Sequence, residues 1–206
     1  TSSTHLAVSV RFHREDPWER LRLVSEAMPR TPLGIITTGM RFISWAPAEE
    51  DVIALAFRLV ARNGVQRMQI ADPANDPERL KRLAALARRE GLSEVVIGLT
   101  YSISEVHTHA YYAERAAALA DCRDLDRLYL KDPGGLLTPD AVRELAPHFL
   151  AAAGDRPVEL HSHCTIGLAP LVYLDGVRAG FHAVHTANGP LSRGTSQPET
   201  VNTAIN

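Results

Sequence analysis

The feature that most constrains the fold is a regular alternation of short apolar runs with longer amphipathic segments. The apolar runs begin about 30 residues apart, which is the length of a strand and its return helix. They cover residues 33–37, 67–71, 94–99, 127–130, 158–160 and 183–185. The amphipathic segments cover residues 18–27, 48–63, 77–90, 105–120, 139–150 and 167–179. This alternation predicts an α/β fold with a parallel sheet.

Residues that end or begin helices lie at the boundaries of these segments. Gly64, Gly91 and Gly180 each follow an amphipathic segment and tolerate the left-handed backbone that ends a helix. Thr138, followed by Pro139, has the pattern of an N-cap and a first helical residue. No linker, low-complexity tract or charge block interrupts the chain, so we expect one domain over residues 1–206.

Two points of architecture stay open at this level. The first dozen residues alternate like a strand at Val8, Val10 and Phe12, but Leu6, Val10 and His13 also fit one face of a helix. Six strands are evident, whereas a closed (β/α)8 barrel needs eight. The sheet is therefore either open and doubly wound, or part of a barrel whose other strands lie outside this chain.

Composition excludes several classes of function. The formal net charge of the 206 residues is -2, and the basic residues are spread along the chain, so nucleic acid and membrane surfaces are not expected partners. No apolar run approaches the ~20 residues that span a bilayer, and no signal-peptide pattern opens the sequence. The chain has only 2 cysteines, which favours a reducing, cytoplasmic setting.

A pair of histidines, His161 and His163, lies near the end of the fifth apolar run. Successive side chains of a strand point to opposite faces, so the two imidazoles share one face while Ser162 and Cys164 share the other. This arrangement can bind a metal ion, or it can be a strand end with two solvated or hydrogen-bonded histidines. Cys164 is interpreted as a packing residue, because it points away from the histidine pair.

Lys131 and Asp132 end the preceding strand, just before a glycine turn. The carboxyl ends of parallel strands are where α/β folds keep their active sites, so both residues are candidates for a site. The alternative is that Lys131 extends its amine to solvent and Asp132 caps the turn.

Together these features resemble the carboxyltransferase domain family of pyruvate carboxylase, the oxaloacetate decarboxylase α subunit and the transcarboxylase carboxyltransferase subunit. The resemblance covers roughly residues 11–200. Its most specific motifs are Glu-Asp-Pro-Trp-Glu-Arg-Leu at 15–21, Ala-Arg-Asn-Gly-Val at 61–65, Lys-Asp at 131–132 with Gly-Leu-Leu at 135–137, His-Ser-His at 161–163 and Gly-Thr-Ser-Gln-Pro at 194–198. A rival group of metal-dependent barrels, which includes isopropylmalate synthase, also carries His-x-His but lacks the lysine.

The resemblance implies a (β/α)8 TIM barrel, with about six βα units in this chain, and a divalent metal such as zinc, manganese or cobalt. The ligands it implies are carbamylated Lys131, which is also the catalytic residue, with His161, His163 and an aspartate. A carbamate offers anionic oxygen where a free lysine would repel a cation. The aspartate motif is absent, and we expect it and two strands upstream of residue 1 in a longer polypeptide.

The substrate-binding residues implied by the resemblance are Thr38, Arg41 and Asp72. Thr38 occupies the position at which the family has an arginine that grips the carboxylate of the oxo acid, and threonine cannot replace that bidentate contact. Arg41 either reaches the pocket from the next loop or is an ordinary surface arginine. Asp72 either lines the pocket or caps the turn into the next helix.

The function implied is a metal-dependent carboxyltransferase or decarboxylase that acts on a 2-oxo acid or related carbonyl compound through a metal-stabilised enolate. None of the three methionines is followed by lysine, so biotin would come from another domain or a biotin carrier protein. The family also implies a homo-oligomer. Two alternatives remain: a biotin-independent carbon–carbon lyase of the same fold, and a catalytically silent barrel subunit.

Overall fold

Six parallel strands form the centre of the part of the chain that the structure, a computed structural model, describes, namely residues 3–41 and 46–206. Their bounds are β1 Leu33–Thr38, β2 Val65–Asp72, β3 Glu94–Thr100, β4 Arg127–Asp132, β5 Val158–Ser162 and β6 Ala183–Val184. The order of the strands in the sheet is their order in the chain. The α/β fold predicted from the alternation is confirmed, including all six strands.

Helices precede, separate and follow the strands. Their bounds are α1 Ser3–Val8, α2 Pro17–Ala27, α3 Glu50–Arg62, α4 Pro77–Arg89, α5 His109–Ala120, α6 Pro139–Ala153, α7 Ala169–Ala179 and α8 Thr200–Ile205. A π-helical turn, Ser9–His13, follows α1. Of the two conformations left open for the first dozen residues, the helix is therefore the one observed from residue 3 onward.

Side-chain caps set several of the helix starts. Thr138 Oγ1 accepts a hydrogen bond from Ala141 N at 3.1 Å, as the Thr-Pro pattern predicts. Thr108 Oγ1 accepts one from Tyr111 N at 3.2 Å, so α5 begins at His109 and the prediction of a helix from residue 105 was four residues too long. Caps of this kind contribute about 1 kcal/mol each, which is enough to fix where a helix starts.

The chain divides into two compact units, which we name unit 1, Thr1–Ile97 with Arg123–Asp126, and unit 2, Gly98–Cys122 with Arg127–Asn206. In unit 1, α3 and α4 pack on β2, and Phe57, Leu80 and Met68 are all 0% exposed. In unit 2, α6 packs on both α5 and α7, and Phe149 is fully buried. Each such side chain contributes about 1.5–3 kcal/mol through burial. The single domain over residues 1–206 stays a prediction.

Within the described residues, every helix falls short of the length and apolar character that crossing a membrane requires.

Candidate active site

In unit 2, the ends of β4 and β5 bring the three predicted metal-site residues to one place. Lys131 and His161 are register partners in the parallel pair. His163 follows β5 by one residue, and its ring centroid lies 5.0 Å from that of His161. The carboxyl ends of both strands thus present an amine and two imidazoles at the same edge.

Asp132 holds this edge together from the opposite face of β4. It is 0% exposed, and its carboxylate accepts hydrogen bonds from Leu136 N at 2.8 Å, Leu137 N at 2.9 Å and Ser162 Oγ at 2.8 Å. The first two bonds close the turn after β4, and the third ties β4 to β5. Asp132 therefore caps the turn, as one interpretation of the sequence predicts. The side chain of Lys131 lies on the opposite face of β4.

A loop near the end of the chain fixes the orientation of His163. His163 Nδ1 lies 2.6 Å from the carbonyl oxygen of Thr195, which can only accept a hydrogen bond. The proton is therefore on Nδ1, and Nε2 keeps its lone pair free for a metal. The Gly-Thr-Ser-Gln-Pro motif, predicted only through the resemblance, thus has a physical role. Its Gln197 Nε2 also lies 3.5 Å from His161 Nε2.

A third histidine, His185, belongs to the same cluster and was not predicted. Its Nδ1 lies 3.1 Å from His161 Nδ1, and its Nε2 lies 2.8 Å from Glu159 Oε2. The ring of Tyr129 packs against the rings of both His161 and His185, with centroids 6.2 and 5.3 Å apart. The sequence does contain one indication of this position, because His185, like His161, falls at the end of a predicted strand.

The electrostatics of this edge favour neutral groups. Burial lowers the pKa of Lys131 to about 8, which increases the fraction of neutral, nucleophilic amine at pH 7 relative to a surface lysine. Burial, and then the neighbouring His185, His163 and Lys131, hold the pKa of His161 well below its usual range. A neutral imidazole is the form that ligates a metal.

The residues present fit part of a metal centre that contains a carbamylated lysine. No group of three or more His, Cys, Asp or Glu residues among the described residues is arranged to hold a metal ion by itself. Both ring nitrogens of His185 already face partners, which leaves His161 and His163 as the two nitrogen donors. A carbamate on Lys131 would add oxygen, and such a mixed donor set suits zinc, manganese or cobalt.

In unit 1, the ends of β1 and β2 border a separate cavity of about 320 Å³. Its lining contains all three residues predicted to bind substrate, and the full set is Thr38, Met40, Arg41, Pro47, Ala48, Asp72 and Arg79. Gly39, at φ +53°, lets the chain turn here, because a Cβ at this position would lie 3.0 Å from Asp72 Oδ2. The cavity floor is thus formed where the two strands end.

Two arginines and one aspartate give this cavity its charge. Asp72 accepts hydrogen bonds from Ala74 N at 3.0 Å and from Arg79 Nη1 at 3.1 Å, while the cap of α4 is Asp76. Arg41 is exposed, and its guanidinium has no hydrogen bond or ion pair with the residues that the structure describes. Arg79 was not predicted, because an arginine on an amphipathic helix resembles any solvated residue.

The chain is similar to subunits and domains of carboxylases and carboxyltransferases. No protein-family model matches it. It is 36% identical over 191 residues to a pyruvate carboxylase subunit of Methanocaldococcus jannaschii, in a match that covers 93% of this chain and 33% of that protein. It is 30% identical over 194 residues to the 2-oxoglutarate carboxylase large subunit of Hydrogenobacter thermophilus, in a match that covers 94% of this chain and 29% of that protein.

The chain is also similar to a solved structure. The carboxyl transferase domain of Rhizobium etli pyruvate carboxylase with pyruvate matches with a TM-score of 0.91 and 28% identity, over 99% of this chain and 35% of that chain. The chain spans about a third of the length of the curated relatives it matches. The six βα units correspond to a portion of that TIM barrel, and the chain belongs to the carboxyltransferase domain family of pyruvate carboxylase.

Proposed function

We propose that this chain carries the metal-binding and substrate-binding residues of an enzyme that transfers a carboxyl group to or from a 2-oxo acid. The observation that carries the proposal is the pairing of Lys131 with His161 across β4 and β5, with His163 beside them. A bound divalent metal would supply Lewis-acid stabilisation of the negative charge that develops on the substrate oxygen. His161, His163 and the carbamate of Lys131 would hold that metal.

The surroundings of Lys131 support its carbamylation. The ammonium first loses one proton to solvent, and the neutral amine then attacks carbon dioxide. A nitrogen–carbon bond forms as one carbon–oxygen π bond opens, and the nitrogen loses a second proton, which leaves an anionic carbamate as the oxygen ligand. Partial burial favours the first of these steps, because desolvation disfavours the charged ammonium and increases the fraction of neutral amine. Imidazole side chains carry no negative charge, so His161 and His163 do not oppose the new carbamate.

The cavity of unit 1 is proposed to bind the carboxylate of the oxo acid. Arg41 supplies a guanidinium that can form two parallel hydrogen bonds to a carboxylate. Asp72 orients Arg79 through their 3.1 Å ion pair, and Thr38 adds a hydroxyl in place of the family's arginine. The volume of about 320 Å³ lies at the small end of ligand sites, which suits an acid of few carbons.

The carboxyl group is proposed to arrive on, or leave with, biotin carried by another domain or by a carrier protein. The relatives from Methanocaldococcus jannaschii and Hydrogenobacter thermophilus are each named as one subunit of a carboxylase, which supports a separate carrier. The homo-oligomeric state and the cytoplasmic location stay predictions from the sequence.

A carbon–carbon lyase that does not use biotin is the second candidate. It is favoured by Thr38, because loss of the arginine at the end of β1 removes a carboxylate contact that the carboxyltransferases use. Both reactions need the same charge stabilisation at the metal, so only substrate turnover separates them.

The test is release of carbon dioxide from oxaloacetate by the purified, metal-loaded protein, with and without biotin. We expect release in the wild type and a loss of at least about 100-fold in His161→Ala and Lys131→Ala, since each removes a ligand. His148→Ala is the control, because that histidine is exposed on α6. The catalytically silent alternative predicts no turnover of any small oxo acid.

Metal analysis with and without bicarbonate tests the carbamate separately. Metal content of Lys131→Ala should fall and should no longer respond to bicarbonate. Full occupancy in Lys131→Ala would overturn the assignment of Lys131 as a ligand, and absence of carbon dioxide release with metal bound would overturn the decarboxylase activity.

A further inference from the structure

Three ionisable side chains form a continuous hydrogen-bonded line behind the proposed metal site. Glu159 is 2% exposed, and its Oε2 lies 2.8 Å from His185 Nε2. The other nitrogen of His185, Nδ1, lies 3.1 Å from His161 Nδ1. All three residues belong to unit 2, on or directly after the neighbouring strands β5 and β6.

The position of each proton in this line follows from what each group can donate. An ionised carboxylate only accepts, so the proton of the first bond is on His185 Nε2. A His185 that carries a single proton has its lone pair on Nδ1, which then accepts from His161. The proton of His161 is therefore on Nδ1, and the lone pair of His161 is on Nε2.

A contact on the far side of His161 agrees with this assignment. The side-chain amide nitrogen of Gln197 lies 3.5 Å from His161 Nε2. An amide N–H can only donate, so this contact, at the outer limit of hydrogen-bond distance, fits a lone pair at that nitrogen and is weak enough for a metal ion to displace. The opposite tautomer would place two donors against each other here.

The line is held rigidly by the backbone around it. The amide of His185 donates to the carbonyl of Leu160 at 2.9 Å, and the hydroxyl of Tyr173 donates to the carbonyl of His185 at 2.6 Å. Tyr129 packs against both rings. His185 thus has little freedom to swing away from His161.

We propose that Glu159 and His185 are a positioning pair that fixes the tautomer of His161, so that Nε2 is presented as the metal-ligating nitrogen. The inference rests on the proposed function, in which His161 is a ligand. His185 is not itself a ligand, because Glu159 and His161 lie at 2.8 and 3.1 Å from its two nitrogens, whereas Nε2 of His161 has only a contact at 3.5 Å. His163 achieves the same orientation with a neutral acceptor, the carbonyl of Thr195, so the two ligand histidines are fixed by different devices.

The first experiment is nitrogen-15 NMR of histidine side chains in the metal-free protein. We expect His161 to be protonated at Nδ1 and unprotonated at Nε2 in the wild type. His185→Leu removes the acceptor and should shift His161 toward the Nε2-protonated form. His185→Asn keeps an oxygen near His161 Nδ1 and should restore the wild-type tautomer in part. An Nε2-protonated His161 in the wild type overturns the proposal.

The second experiment is the affinity for Co²⁺, measured by competition with a chelator. His185→Leu should weaken binding about 10–100-fold without changing the metal stoichiometry, because it removes a group that orients a ligand and leaves the ligand itself in place. Glu159→Gln keeps an acceptor for His185 and should weaken Co²⁺ binding less than His185→Leu does. His148→Ala should leave the affinity for Co²⁺ unchanged. Far-UV circular dichroism identifies a variant that fails to fold. If His185→Leu does not fold, the tautomer of His161 in the wild type decides, and protonation at Nε2 overturns the proposal.

Two results would overturn the positioning role. Affinity of folded His185→Leu within about twofold of wild type would show that the pair does nothing for His161. Complete loss of the metal with an unchanged tautomer would make His185 a ligand. Neither readout uses turnover, so a protein that binds Co²⁺ as expected but releases no carbon dioxide contradicts the proposed function alone.

Discussion

The two strand-end regions differ in how their polar groups are satisfied. At the ends of β4 and β5, Asp132 is fully buried and accepts three hydrogen bonds, and the histidines beside it contact one another, a carboxylate and a backbone carbonyl. At the ends of β1 and β2, Arg41 is exposed and the side chain of Arg79 is 45% exposed. At the ends of β4 and β5, breaking a hydrogen bond would leave a buried polar group unsatisfied at a large cost in free energy, so this region is rigid. The other keeps exposed cations that can adjust to a ligand.

The difference fits the proposed roles of the two regions, metal binding in the first and substrate binding in the second. A metal site needs its ligands within a fraction of an ångström, which buried hydrogen bonds provide. A carboxylate site needs charge and a fork of donors, which an exposed arginine provides. We therefore expect mutations to cost stability in the first region and substrate affinity in the second.

The largest expected effect comes from removing the aspartate of each region. Asp132→Ala leaves two backbone amides and a hydroxyl without their acceptor in a buried place, so the free energy of unfolding should fall by about 3–5 kcal/mol. Asp72→Ala removes two contacts beside an open cavity and should cost about 1–2 kcal/mol. Denaturant unfolding of both variants measures the difference. Equal decreases in the free energy of unfolding of the two variants would contradict the proposed difference between the two regions.

Strand glycines offer a matched pair of intermediate size. A Cβ at Gly98 on β3 would lie 2.3 Å from Tyr129 Cζ, and Tyr129 is 0% exposed, so Gly98→Ala should cost about 1–3 kcal/mol through overpacking. A Cβ at Gly34 on β1 meets nothing closer than Arg67 Cδ at 3.7 Å. Gly34→Ala should therefore change the free energy of unfolding by about 0.5 kcal/mol or less. Thermal unfolding of the two variants provides the check.

Because Tyr129 packs on His161 and His185, Gly98→Ala should also disturb the histidine line. Its Co²⁺ affinity should fall together with its stability, whereas Gly34→Ala should change neither. A Gly98→Ala variant with wild-type stability would show that the Tyr129 ring has room to move.

The smallest expected effect is at an exposed ion pair of unit 1. Arg20 Nη1 lies 2.7 Å from Glu15 Oε2, but the two side chains are 52% and 50% exposed. Arg20→Ala should lower the free energy of unfolding by at most about 0.5 kcal/mol, because solvent screens the pair and ordering it costs entropy. A loss above about 1 kcal/mol in urea unfolding would show that contact distance outweighs burial, contrary to the comparison.

Most of the fold could be predicted because its signals are local. The period of the apolar runs predicts β1 to β6, and the Thr-Pro pattern at 138–139 predicts the start of α6. The start of α5 was missed, because any of several polar residues before His109 could have served as the cap. The first dozen residues were ambiguous, since a short apolar pattern fits both a strand and a helix.

The candidate site was only partly predictable, because some contacts depend on distant pairing. Lys131, His161 and His163 are identifiable from strand-end position and family resemblance, and their role as ligands stays a prediction. His185 is placed beside His161 by the pairing of β5 with β6, which no local pattern reveals. Arg79 reaches the cavity from a helix, so its sequence neighbours give no indication of its position.

The adjacency of Lys131 and Asp132 on β4 has a consequence for how the protein can change over evolutionary time. Their side chains alternate, so Lys131 faces the candidate site while Asp132 accepts the hydrogen bonds that hold the turn. A substitution elsewhere in the strand disturbs one face at most. A one-residue insertion or deletion within β4 would reverse both faces at once, sending the carboxylate into the site and the amine into the interior. The length of this strand should therefore be far less variable among descendants than its composition.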